Sequence, residues 1–73
     1  MYGKRIKELR TERGWSQKEL ADKLNIAQMT VSKYELEVRD LSTATLIALC
    51  HIFEVSADYI LGIEDDVGAK KYR

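Results

Sequence analysis

This chain of 73 residues has no proline, only four glycines and a single cysteine. The scarcity of both turn-forming residues argues against a sheet-rich fold and favours helices. Because Cys50 has no second cysteine to pair with, an internal disulfide is excluded, and a disulfide-stapled secreted mini-protein with it. One histidine, His51, beside one cysteine cannot form a zinc site without ligands from another chain. The composition therefore predicts no metal and no cofactor.

Long apolar segments are also missing. No apolar run approaches the ~18 residues that a membrane-spanning helix needs, and the first five residues lack the apolar core of a signal peptide. We therefore expect no membrane association and a cytoplasmic location. Apolar residues make up 45% of the chain and charged residues 33%, which is typical of one small globular domain.

The net charge is zero, but it is unevenly distributed. Residues 1–33 hold eight basic and four acidic side chains, whereas residues 34–66 hold one basic and eight acidic side chains. The first half can face a polyanion and the second half cannot. A solvated surface often shows a similar imbalance, so charge alone does not decide the function.

Local signals predict five short helices and an all-α fold. Ser16 with Glu19 forms a capping box, Ser42 and Ser56 are further N-cap residues, and Gly14 and Gly62 suit left-handed helix ends. We expect residues 1–63 to form one compact five-helix bundle, and residues 64–73 to form a short, polar, frayed tail. The predicted helices run over about Gly3–Arg13, Ser16–Leu24, Gln28–Glu35, Ser42–Glu54 and Ser56–Gly62.

The second and third helices are separated only by residues 25–27. A turn of three to four residues between two short helices is the spacing of a helix-turn-helix. In the third helix, Val31 and Tyr34 are spaced to face inward, which leaves an outer face of small, polar or flexible side chains. Such a face fits the DNA major groove, which is about 12 Å wide.

Residues 5–62 resemble the lambda-type phage repressor and Cro family of helix-turn-helix domains, also called the xenobiotic-response-element type. The match runs without a gap. It comprises Arg5-Ile6-Lys7-Glu8-Leu9-Arg10, Gly14-Trp15-Ser16-Gln17-Lys18-Glu19-Leu20-Ala21, Leu24, Val31-Ser32-Lys33-Tyr34-Glu35, Leu46, Val55-Ser56 and Leu61-Gly62.

The resemblance implies a role for each part of the motif. It places base contacts on the third helix, where Gln28 can bond bidentately to adenine and Met29 can contact a thymine methyl. It places DNA-backbone contacts at the start of the second helix and in the loop after the third helix. It also implies an ion pair between Arg10 and Glu35. The implied base-contacting residues are Gln28, Met29, Ser32, Lys33 and, more weakly, Thr30; the implied backbone-contacting residues are Ser16, Gln17 and Arg39.

Three positions depart from the family pattern. Glu37 replaces a glycine that helps to grip a phosphate, so the turn is expected to be strained or different, and its charge would repel a phosphate. Leu41 stands where proline is common. Ala27 stands where a capping serine or threonine is usual, at a cost of roughly 1 kcal/mol. Together they predict a weaker grip on the DNA backbone.

One recognition helix touches too few base pairs to define a genomic site. We therefore expect a homodimer that reads a palindromic operator. In this family pairing usually involves the region 55–63. The candidate interface consists of the apolar residues Ile52, Tyr59, Ile60 and Ile63.

Catalysis is not expected, because Cys50 and His51 are adjacent in a helix and do not face each other. The sequence predicts a sequence-specific DNA-binding transcriptional regulator, most simply a repressor that occupies an operator. The alternative is a protein-interaction regulator, antitoxin-like or repressor-binding, that retains the fold. The zero net charge and the apolar loop residues Leu36, Val38 and Leu41 favour this alternative.

Overall fold

The computed structural model describes residues 1–63, which form five helices and no strand. The predicted all-α fold is confirmed, while the predicted tail at 64–73 lies outside the described residues. Across residues 1–63, none of the helices has the length and apolar character needed to cross a membrane. The helices are α1 (Tyr2–Glu12), α2 (Gln17–Leu24), α3 (Gln28–Glu35), α4 (Thr43–Phe53) and α5 (Ala57–Leu61).

Serine side chains begin three of the helices, as predicted. Ser16 Oγ accepts a hydrogen bond from Glu19 N at 3.0 Å, and Glu19 Oε1 accepts one from Ser16 N at 2.8 Å, which completes the capping box. Ser42 and Ser56 cap α4 and α5 through their hydroxyl oxygens, which accept from Thr45 N and Tyr59 N. Each such cap is worth roughly 1 kcal/mol. Ala27 gives α3 no side-chain cap, so this helix depends on its tertiary contacts.

The helix ends follow the predicted boundaries within one residue. Asn25 ends α2 and Gly62 ends α5 in the left-handed conformation, with φ of 58° and 78°. Glu54 ends α4 in the same conformation. The turns are therefore determined by local chemistry, and the short connections pack the helices around one core.

The core is a single cluster of twelve buried residues. Full burial of one large apolar side chain contributes roughly 1.5–3 kcal/mol. Trp15 stacks on Phe53 with ring centroids 5.7 Å apart, and Arg13 donates to the Phe53 carbonyl at 2.8 Å. These contacts hold the α1–α2 corner against the end of α4. The buried residues are Ile6, Leu9, Leu20, Ala21, Val31, Tyr34, Leu49, Cys50, Phe53, Val55, Tyr59 and Ile60.

Two residues assigned from sequence to a dimer interface belong to this core. Tyr59 is 9% exposed and Ile60 is fully buried, so the prediction that they face a partner is wrong. The Arg5 guanidinium lies 4.2 Å from the centre of the Tyr59 ring, which further occupies that side chain. Ile52 is half-buried against the core, whereas Ile63 is 68% exposed.

Candidate nucleic-acid interface

The corner between α2 and α3 is built from a left-handed turn and a small residue. Asn25 reverses the chain, and Ile26 N then donates to Ala21 O at 3.0 Å. Ala21 is buried, and its small side chain lets α3 cross α2 closely. Ile26 packs against the core beneath the turn. This is the helix-turn-helix geometry that the three-residue connection predicts.

The buried side of α3 determines which side chains face solvent. Val31 and Tyr34 are buried, so at 100° per residue Met29 lies opposite them. Gln28, Met29 and Lys33 are exposed, while Ser32 is half-buried. These four side chains form the outer face of α3, in agreement with their spacing in the sequence. Thr30 is half-buried and lies at the flank, away from the centre of that face.

A hydrogen-bonded ion pair locks α3 to α1 and α2. Glu35 Oε2 accepts from Arg10 Nε at 2.7 Å, and Glu35 Oε1 accepts from Arg10 Nη2 at 3.2 Å and from Gln17 Nε2 at 3.0 Å. Arg10 Nη1 also donates to Trp15 O at 2.8 Å. The side chains of Arg10 and Glu35 are only 11% and 5% exposed. We call Arg10, Glu35, Gln17 and Trp15 O the α3 lock.

The start of α2 lies beside this lock. Gln17 is the first residue of α2, so its backbone N–H has no partner within the helix and can meet an anion at the positive helix end. Its side-chain amide has a second N–H besides the one that Glu35 accepts. Ser16 is exposed and accepts through Oγ, which leaves its hydroxyl hydrogen to donate. Two of the three predicted backbone-contacting residues, Ser16 and Gln17, can therefore donate to a phosphate at this helix end.

In the loop that follows α3, Glu37 adopts the left-handed conformation that usually requires a glycine. Glu37 has φ of 58°, a conformation that costs a side-chain-bearing residue roughly 1–2 kcal/mol. Its Oε2 atom accepts from Gly3 N at 3.1 Å, at the start of α1. A hydrogen bond to a charged group contributes roughly 1.5–3 kcal/mol and offsets the cost. The expected strain is thus present, and the carboxylate caps α1.

A second contact joins the same two segments. Tyr2 Oη donates to Arg39 O at 2.8 Å. Burial, together with the carboxylates of Asp40 and Glu37, raises the pKa of the Tyr2 phenol, which favours the protonated form that donates this hydrogen bond. The Arg39 residue itself is exposed. Its side chain is the one cation within residues 36–41.

Sequence reasoning did not identify this junction between α1 and the loop. One signal for it was Gly3, since glycine near the start of a helix is costly unless another segment approaches closely. A Cβ added at Gly3 would lie 2.9 Å from the Glu35 carbonyl carbon. Gly3 therefore permits the close packing of α1 on the end of α3.

The remaining candidates for chemistry in residues 1–63 are a single thiol, the acidic and metal-ligating side chains, and one apolar cavity. Cys50 is buried, and burial raises the pKa of its thiol, which disfavours the nucleophilic thiolate. Within residues 1–63, no cluster of three His, Cys, Asp or Glu side chains is arranged to hold a metal ion. A largely apolar cavity of about 320 Å³ lies between α4 and the start of α5, lined in part by Leu46, Ile47 and Ala57.

Curated relatives of the chain are transcriptional regulators. The chain is 48% identical over 68 residues to the HTH-type transcriptional regulator ImmR of Bacillus subtilis. The aligned residues cover 93% of this chain and 53% of ImmR. It is 36% identical over its whole length to the uncharacterised regulator YobD of the same organism, of which it covers 65%. The chain thus spans between half and two thirds of the length of these relatives.

The fold also matches a solved regulator. The structure of SinR, a master regulator for biofilm formation, in complex with DNA superposes with a TM-score of 0.76 at 34% identity, over 84% of this chain and 98% of that one. The Helix-turn-helix family model HTH_3 matches residues 6–60. The match contains α2, the turn, α3 and both partners of the buried ion pair. The chain therefore belongs to the HTH_3 helix-turn-helix family.

Proposed function

We propose that residues 1–63 are a sequence-specific DNA-binding domain of a transcriptional regulator, and that the regulator acts as a repressor by occupying its operator. The observation that carries this proposal is the α3 lock, which fixes α3 with its polar outer face exposed. A buried ion pair is costly to build, and here it orients one short helix. The family, and a neighbour whose structure contains DNA, support the same function.

In this proposal the outer face of α3 enters the major groove and reads base edges. Gln28 and Met29 lie in the first turn, which reaches deepest in helix-turn-helix complexes. Gln28 offers the bidentate amide that suits adenine, and Met29 offers an apolar surface that suits a thymine methyl. Ser32 and Lys33 follow one turn later, and Thr30 contributes at the flank. Phosphates are bound by Ser16, Gln17 and Arg39.

Replacing Gln28 by alanine should weaken binding to the best site by roughly 1–3 kcal/mol and relax one base position. The measurement is selection of bound duplexes from a random pool, followed by titration of the selected site. Arg39→Ala is the matched control, because a phosphate contact carries no sequence information. It should weaken all duplexes alike and reduce the salt slope by about one unit. An unchanged consensus for Gln28→Ala would contradict the assignment of α3 as the reading helix.

We further propose that the regulator binds a palindromic site as a homodimer, with half-sites about 34–36 Å apart. Tyr59 and Ile60 stabilise the core, so the interface that remains from the sequence prediction comprises Ile63 and the exposed part of Ile52. Ile63 extends beyond the end of α5 and is largely exposed. Such a small apolar surface supports weak pairing in solution, which DNA would strengthen.

Ile63→Asp should reduce self-association in sedimentation experiments and lower the affinity for a palindromic duplex, with no change on a single half-site. The reason is that a carboxylate beside the twofold axis meets its own copy. Ile47→Asp is the matched control, because Ile47 is an isoleucine on α4 that is 53% exposed. If Ile47→Asp disrupts pairing and Ile63→Asp does not, the interface lies at the α4–α5 cavity instead.

A second candidate function is a protein-interaction regulator that uses the same fold. The specific observation in its favour is the pair of exposed apolar side chains Leu36 and Val38, directly after α3. A solved structure of SinR with the SinI protein superposes with a TM-score of 0.76 at 34% identity, over 84% of this chain and 60% of that one. Salt discriminates the two functions, since DNA binding falls steeply with salt and apolar pairing does not.

A further inference from the structure

The first turn of α1 and the loop after α3 are joined by three independent features. Glu37 Oε2 accepts from Gly3 N at 3.1 Å, and Tyr2 Oη donates to Arg39 O at 2.8 Å. Gly3 also lies so close to the end of α3 that any larger residue would meet Glu35 and Glu37. The contacts span 34 and 37 residues of sequence, so they are tertiary and not part of either local turn.

These contacts flank the one cation of the loop. Glu37 lies two residues before Arg39, and Tyr2 holds the Arg39 carbonyl itself. The backbone of residues 37–39 is therefore fixed at both ends to a helix that is part of the core packing. The turn itself is closed locally, because Glu37 N donates to Tyr34 O and Val38 N donates to Lys33 O, each at 3.1 Å. These bonds end at residue 38, and the next contact along the chain is the one between Arg39 O and Tyr2 Oη.

We propose that Glu37 is a positioning residue for DNA binding: by capping α1 it holds the loop so that Arg39 is presented to the phosphate backbone. This inference rests on the proposed function and adds a residue whose charge alone would oppose DNA. Glu37 acts through Arg39 and does not contact DNA. The amino end of α1, remote from α3 in sequence, becomes part of the machinery that determines affinity.

Two substitutions of Glu37 separate this positioning from simple charge repulsion. Glu37→Gln and Glu37→Gly both remove the negative charge, so each relieves any repulsion from DNA equally. Only glutamine keeps a side-chain oxygen that can accept from Gly3 N. Glycine also adopts the left-handed conformation without strain, so a loss of binding in Glu37→Gly cannot come from backbone cost. Both variants are prepared with Arg39 intact and with Arg39→Ala, and folding is checked by urea titration.

The readout is the affinity for the selected duplex across a salt series. With Arg39 intact, we expect Glu37→Gly to bind on the order of five- to tenfold more weakly than Glu37→Gln, with a salt slope smaller by about one unit. In the Arg39→Ala background the two variants should bind equally. Amide hydrogen exchange at Gly3 should be faster in Glu37→Gly than in Glu37→Gln.

Equal affinity of the two variants with Arg39 intact would overturn the positioning role and leave the proposed function standing. A Gln–Gly difference that persists in the Arg39→Ala background would also overturn it, because the effect would not pass through Arg39. If the unsubstituted chain binds no duplex from the pool, both the proposed function and this inference fail.

Discussion

Glu35→Gln should lower the free energy of unfolding by about 3 kcal/mol, because it leaves the Arg10 guanidinium buried without a counter-charge. Breaking one side of a buried ion pair costs roughly 3–5 kcal/mol, and the lower end is expected here since Arg10 remains 11% exposed and keeps its bond to Trp15 O. A chain of this size is stable by roughly 4–11 kcal/mol. The loss is therefore a large fraction of the total.

The measurement is urea denaturation followed by the fluorescence of Trp15, the one tryptophan of the chain. Asp22→Asn is the matched control, because it also neutralises the carboxylate of an ion pair. Lys18 and Asp22 also form an ion pair, at 3.2 Å, but both side chains are exposed. An exposed helical pair of this spacing contributes roughly 0.3–0.5 kcal/mol. The contrast between the two substitutions isolates the effect of burial.

A double-mutant cycle tests whether the two charges act on each other. Arg10→Met with Glu35→Gln removes both charges, so the double variant should lose less stability than the sum of the two single losses. A coupling free energy near zero would show that the pair is solvated in solution. In either single variant the free energy of DNA binding should fall by more than the free energy of unfolding, because the α3 lock both holds and orients the helix that is proposed to read the bases.

The elements of the fold were predictable because their signals are local. Several helix ends are determined by contacts within a few residues, so the sequence suffices to predict where those helices begin or end. The residues concerned are Ser16 with Glu19, Ser42, Ser56, Asn25 and Gly62. The same holds for the outer face of α3, since the inward spacing of Val31 and Tyr34 fixes it. The partners Arg10 and Glu35 came from the family resemblance, and the structure adds Gln17 Nε2 and Trp15 O to their contacts.

The remaining features depend on contacts between segments distant in sequence. Tyr59 and Ile60 could not be assigned to the core from their own five-residue helix, because α1 and α4 provide the surface that buries them. At Glu37 the sequence predicts a turn that is strained or different, and the structure shows the strained form, with the left-handed conformation kept. The hydrogen bond between Glu37 and Gly3 N could not be derived, since no local pattern brings α1 to that loop.

The junction at Gly3 gives the second large expected effect. On helix propensity alone, alanine should stabilise α1 relative to glycine by roughly 0.8–1 kcal/mol. The structure predicts the opposite sign for Gly3→Ala, because the new Cβ would lie 2.9 Å from the Glu35 carbonyl carbon and 2.8 Å from Glu37 Cγ. Glu37 Cγ belongs to a side chain that can rotate, but the Glu35 carbonyl belongs to the backbone at the end of α3.

That carbonyl cannot yield cheaply, because the side chain of the same residue is held in the α3 lock. Gly3→Ala must therefore displace α1 or strain α3, and overpacking of this kind costs roughly 1–3 kcal/mol. We expect a net loss of about 2 kcal/mol in urea denaturation, and a further loss of DNA affinity as α3 shifts. Lys7→Ala, an exposed change to alanine in the same helix, should stay within about 0.5 kcal/mol. If Gly3→Ala instead stabilises the chain as helix propensity predicts, α1 does not pack against the end of α3 in solution.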